Sequence, residues 1–177
     1  LPLYLCTIVT EIFSDIQKAY YLYHINQSVG TLLFCIYYAS LFTKPIVKRL
    51  VATCFLIYLG YFIYYFTRYP DNFFRFDPID FVVEGVFITA FSLLYLVDLY
   101  RNSSGIEFSQ HPHFWIVIGN LLFYSGSAFF MGFASTLAKN NSVLYEQLSY
   151  IVYILNLILY SLYIKAFLCR SPVNKSS

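Results

Sequence analysis

The stretch LVATCFLIYLGYFIYYF, residues 50–66, runs for 17 residues without a charged side chain. As an α-helix it rises about 25 Å, close to the ~30 Å thickness of a bilayer's hydrocarbon core. Lipid offers no partner to backbone N–H and C=O groups, so a crossing segment has to be a helix or part of a closed barrel. The apolar residues here are continuous rather than alternating, which selects the helix.

Similar runs flank this one on both sides. The sequence predicts about six membrane-spanning helices, over residues 1–20, 25–42, 46–66, 79–97, 114–137 and 148–169. The expected fold class is all-α, a polytopic integral membrane helix bundle over 1–169 with a short cytoplasmic tail at 170–177. The connections RYPDN (68–72), RNSSG (101–105) and KNNS (139–142) are short and made of turn-forming residues. The first predicted helix carries Glu11 and Asp15. No basic stretch precedes it, so it does not read as a cleavable signal, and a further helix ahead of Leu1 stays open.

Composition agrees with this reading. Charged residues make up 11% of the chain and hydrophobic ones 59%, against about 25% charged in an average soluble domain. So few charges cannot cover the surface of a soluble domain, and so apolar a chain is not disordered. The net charge is +2 and the densest basic group is Lys44, Lys48 and Arg49, which argues against a nucleic-acid partner. The partner indicated by composition is membrane lipid.

Lys and Arg in short loops are retained on the cytoplasmic side during insertion. With six helices, seven of them (Lys44, Lys48, Arg49, Arg101, Lys165, Arg170 and Lys175) fall on one side, against four (Lys18, Arg68, Arg75 and Lys139) on the other. The bias predicts a plasma-membrane protein with a cytoplasmic C-terminus.

An ionisable group at membrane depth costs about 2.5–3.5 kcal/mol on insertion scales, so it is expected to face the bundle and find a partner. Glu84 is such a group. It lies about 8 Å below the predicted start of its helix at residue 79, with Asp80 one turn above it on the same face. It reads either as a proton or cation site or as a structural hydrogen bond to another helix. Glu11, Asp15, Lys18 and a tyrosine of the last helix are the expected partners.

Tyr153, Asn156, Tyr160 and Tyr163 recur at helical spacing on one face of the last helix, and Asn120, Tyr124 and Ser127 do so on the fifth. Glu84, Asn120 and Asn156, with Tyr153, Tyr160 and Glu11, make up the candidate intramembrane polar site. They line a polar track or act as interhelical glue. Gly85, Gly119 and Gly126 mark places where helix backbones approach closely.

Cys6, Cys35, Cys54 and Cys169 show no metal-ligand spacing and read as small hydrophobes. His111 and His113 flank Pro112 without further ligands nearby, and His24 stands alone in the first predicted loop. The sequence holds no Ser/His/Asp set, HExxH or phosphate loop, so neither an enzyme nor a cofactor is expected.

The run PHFW at 112–115, Gly119, YSG at 124–126, the Asn156 helix ending FLC at 167–169, and Glu11 together resemble a pattern of small multi-pass membrane proteins of Bacteroidetes-type bacteria. Some of these are similar to the membrane sensor modules of histidine kinases without the kinase. The resemblance implies a multi-pass fold and carries no activity of its own. Any signal would then pass to a protein partner in the membrane. The expected function is a non-enzymatic sensory module or complex subunit. A small transporter or ion-coupled permease using Glu84 and the intramembrane Asn residues is the alternative. It lacks the internal repeat and the broken helices common in transporters.

Overall fold

The computed structural model describes residues 20–71, 78–102 and 108–169. Five α-helices account for most of them: α1 Tyr20–Leu41, α2 Pro45–Arg68, α3 Ile79–Asn102, α4 Pro112–Asn140 and α5 Ser142–Leu168. A short 3-10 turn, Phe108–Gln110, precedes α4. No strand occurs among the described residues. The fold is all-α, as expected.

Among the described residues, four helices are long and apolar enough to cross a membrane: α2, α3, α4 over Pro112–Ala134 and α5 over Val143–Leu168. The expected count of about six is not supported. The first predicted helix lies mostly outside the described residues, with Glu11, Asp15 and Lys18. The second forms as α1 and has 22 residues, about 33 Å of helix and long enough to span. What it lacks is apolarity, because His24, Gln27, Ser28 and Thr31 sit in its first half.

Proline sets two helix starts. Pro45 and Pro112 each occupy the first turn, where the missing N–H is no loss and the fixed φ suits the helix. The helices also run longer than predicted. α3 continues through Arg101 to Asn102. The predicted turn at 139–142 shrinks to the single residue Asn141, whose side-chain oxygen accepts a hydrogen bond from the Leu144 N–H at 3.0 Å. Such a cap satisfies one of the amides orphaned at a helix start.

The chain divides into two compact units, Leu1–Glu84 and Gly85–Ser177, with the boundary inside α3. In the first unit, α1 and α2 form an antiparallel hairpin, so His24 near the start of α1 meets Phe66 near the end of α2. The inward face of α1 repeats at helical spacing: His24, Thr31, Cys35, Tyr38 and the following Phe42 are all buried. The first turns of α3 close on this hairpin through Asp80 and Glu84.

In the second unit, α4 and α5 pack antiparallel. A Cβ added at Gly126 would meet Leu155 at 2.6 Å, and one added at Gly119 would meet Leu159 at 3.1 Å. Gly85 lies so close to α4 that an added Cβ would meet the Ala128 Cβ at 2.7 Å. Without a hydrophobic drive between helices in lipid, such close approach and the dispersion it brings hold the bundle. Isoleucines, leucines and phenylalanines such as Ile57, Leu157, Phe129 and Phe167 point outward, as a lipid-facing surface requires.

Candidate functional site

The first unit buries a group of polar side chains where apolar ones would be expected. His24 is fully buried, and Asp80 and Glu84 are each 1% exposed. Three short elements position them. His24 sits in the second turn of α1, Asp80 and Glu84 in the first two turns of α3, and Tyr58 comes across from α2.

The His24 Nδ1 lies 2.7 Å from the Asp80 Oδ2. The other Asp80 oxygen accepts from the Phe81 backbone N–H at 3.0 Å. Asp80 is also in the first turn of α3, where the positive end of the helix dipole favours an acid. On its other side the His24 ring packs against Phe66, with centroids 4.8 Å apart.

Glu84 lies one turn below Asp80, about 6 Å farther along the helix axis. The Thr31 hydroxyl lies beside its carboxyl group. Gly30 lies beside it, where an added Cβ would stand 3.8 Å from the Glu84 Oε1. The Glu84 Oε2 is buried with no hydrogen-bond partner among the described residues, and so is the Tyr58 hydroxyl. Ser28 and Thr31 approach that phenol from α1. Both hydroxyl groups donate down their own helix, Ser28 to the His24 carbonyl at 3.1 Å and Thr31 to the Gln27 carbonyl at 3.0 Å. What they present to the cluster is therefore lone pairs.

The other candidate residues fall in the second unit. Asn120 is fully buried on α4 and accepts a hydrogen bond from the Tyr163 hydroxyl of α5. Asn156 is half-buried, and its Nδ2 donates to the Val152 carbonyl one turn back at 3.2 Å. Tyr153 is 68% exposed and Tyr160 is 42% exposed. The stripe predicted on α5 thus straddles the edge of the helix contact. Tyr163 and Asn156 are on the α4 side, and Tyr153 and Tyr160 are turned outward. Thr89 and Ser127 add two buried hydroxyls without a partner among the described residues. Glu11 lies outside the described residues, as do Asp15 and Lys18.

The sequence reading missed His24, Thr31 and Tyr58. It placed His24 in a loop, whereas the residue belongs to α1 and is buried against Asp80. The signal was present: His24, Ser28, Thr31, Cys35, Tyr38 and Phe42 recur at alternating steps of four and three, the seam of a helix face.

Among the described residues no three His, Cys, Asp or Glu side chains converge closely enough to hold a metal ion. Chemically, the cluster offers a paired imidazole and carboxyl group, a second carboxyl group with an open oxygen, and several hydroxyls, all shielded from water. Such a set can accept, hold and release a proton or a small cation. No protein-family model, curated protein or solved structure matches this chain.

Proposed function

We propose that this chain is a non-enzymatic, multi-pass membrane protein whose working site is the His24–Asp80–Glu84 cluster, and that it acts as an ion-responsive module. It senses protonation for a partner chain or serves as such a subunit of a larger membrane complex. The observation that carries this reading is the burial of two acids of α3 and one imidazole of α1 together, in a chain with four helices among the described residues apolar enough to cross a membrane. Intramembrane ionisable groups are expensive and mark functional sites. The groups facing Glu84 are Asp80 on its own helix, Thr31 and Cys35 on α1, and Tyr58 on α2, and His24 pairs with Asp80.

Kinship with small multi-pass membrane proteins similar to sensor modules, a plasma-membrane location and a cytoplasmic C-terminus are parts of the same proposal. The Lys and Arg bias supports the orientation. A reporter active only outside the cytoplasm, fused after Ser177, is expected to stay silent.

The open Glu84 oxygen favours a second reading, an ion-coupled permease. One preparation separates the two. With the full chain in liposomes, infrared difference spectra across a pH step are expected to show a carboxyl band that disappears in Glu84→Gln. If no such band exists, the ion-responsive reading fails. A pH-sensitive dye inside the same vesicles reports proton flux, which the sensory module lacks and the permease shows.

A further inference from the structure

Of the four buried oxygens without a partner among the described residues, two, Glu84 Oε2 and the Tyr58 hydroxyl, belong to the same cluster. We infer that Glu84, Thr31 and Tyr58 hold a monovalent, oxygen-liganded cation of the sodium class. The inference rests on the ion-responsive reading above and names the ligand of that site.

The argument begins with donors and acceptors. His24 directs its Nδ1 to Asp80, and Asp80 accepts further from the Phe81 N–H. Ser28 and Thr31 have given their protons to backbone carbonyls of α1. Around Glu84 the side chains therefore present oxygen lone pairs and one phenol proton free to rotate. A carboxyl group set among acceptors is met either by its own proton or by a cation, because a buried polar atom left unmet carries its full desolvation cost.

The class of the occupant follows from the ligands. Carboxylate and hydroxyl oxygens suit hard cations, whereas the soft or borderline metals favour thiolate and imidazole. The imidazole here is engaged by Asp80, and no three-residue metal group is present among the described residues. A divalent ion would call on a second carboxylate. Asp80, the nearest, already serves His24 and the amide of Phe81. One open carboxylate matches one positive charge. Gly30 places the α1 backbone beside the Glu84 carboxyl group, with an added Cβ 3.8 Å from Oε1, an ordinary contact distance.

The test uses the full chain in nanodiscs and sodium chloride as probe, with choline chloride holding ionic strength constant at fixed pH. Sodium is expected to raise the thermal midpoint saturably, as any ligand that binds only the folded state does. Glu84→Gln and Tyr58→Phe are each expected to raise the half-saturating sodium concentration at least about tenfold, the scale of a lost bond to a charged group. Far-UV circular dichroism confirms that both variants fold. If Glu84→Gln does not fold, the Tyr58→Phe titration decides. A sodium response that survives both changes places the ion elsewhere and overturns the inference. No sodium response, with the Glu84 carboxyl band still following pH, overturns the cation and leaves the ion-responsive reading standing. Loss of both signals removes both. If Lys18 supplies the positive charge instead, Lys18→Ala mimics Glu84→Gln and sodium does nothing, which also overturns the inference.

Discussion

His24 and Asp80 are 56 positions apart in the chain, yet their Nδ1 and Oδ2 atoms meet at 2.7 Å in a site closed to solvent. Removing one member of such a pair leaves the other buried without its counterpart. His24→Ala and Asp80→Ala are each expected to destabilise the protein by about 3–5 kcal/mol. The double variant His24→Ala/Asp80→Ala is expected to lose less than the two single changes together, with a coupling of about 0.5–3 kcal/mol. Unfolding titrations of the wild type, the singles and the double measure it. Strict additivity would show that the pair is not energetically linked.

Glycine positions give a graded series. Gly85→Ala drives a Cβ to 2.7 Å from the Ala128 Cβ and 3.3 Å from the Tyr124 carbonyl oxygen. Neither neighbour can rotate away, so a loss of about 1–3 kcal/mol is expected. Gly126→Ala meets the end of the Leu155 side chain, which can turn, and the expected loss is smaller. Gly60 and Gly132 have nothing within 4 Å. Their replacement by Ala is expected to be neutral or to add up to about 1 kcal/mol from helix propensity. Thermal midpoints in one detergent rank all four, and a different order counts against the α3–α4 contact.

Tyr163→Phe removes the hydrogen bond from α5 to Asn120 while keeping the ring. Interhelical bonds of this type are worth about 0.6–2 kcal/mol, and a loss in that range is expected. Asn120→Ala in the Tyr163→Phe background should then cost less than it does alone. Equal costs in both backgrounds would mean the bond contributes nothing.

Trp115 is the only tryptophan of the chain, and the Lys165 Nζ sits 3.5 Å from the centre of its ring. A cation over an indole face contributes about 0.5–1 kcal/mol at exposed sites. Lys165→Met keeps the aliphatic stem and deletes the charge. It is expected to shift the tryptophan emission while leaving the helix content unchanged. An identical spectrum would exclude the stacking.

Much of this architecture is readable before any coordinates. Residues 50–66 admit no structure but a helix, and Pro45 and Pro112 announce two helix starts. The small residues at 85, 119 and 126 also mark close packing, since an added Cβ at each would crowd the facing helix. The candidate site was half legible. Glu84 declares itself by being an acid within an apolar run, and Asp80 by helical spacing. His24 does not, because YYLYH at 20–24 mixes aromatic and polar residues as a membrane interface does, and an interface is an equally good place for a helix to begin or to end. The pairing of Asn120 with Tyr163 needs the register of α4 against α5. That register depends on the one-residue turn at Asn141 and the contact at Gly119, neither of which follows from periodicity. Among the described residues the count of about six is not supported, because length alone qualifies α1 while the polar residues that build the site lower its apolarity.

The separation of 56 residues between His24 and Asp80 is also a separation in time. At synthesis rates of about 5–20 residues per second, Asp80 follows His24 out of the ribosome by roughly 3–11 s. Throughout that interval the polar seam of α1 is without Asp80 and Glu84, and α1 is not among the helices apolar enough to cross a membrane. Its stable seating thus waits on the arrival of α3. Assembly of this site is a two-step event in which α1 is synthesised early and secured late.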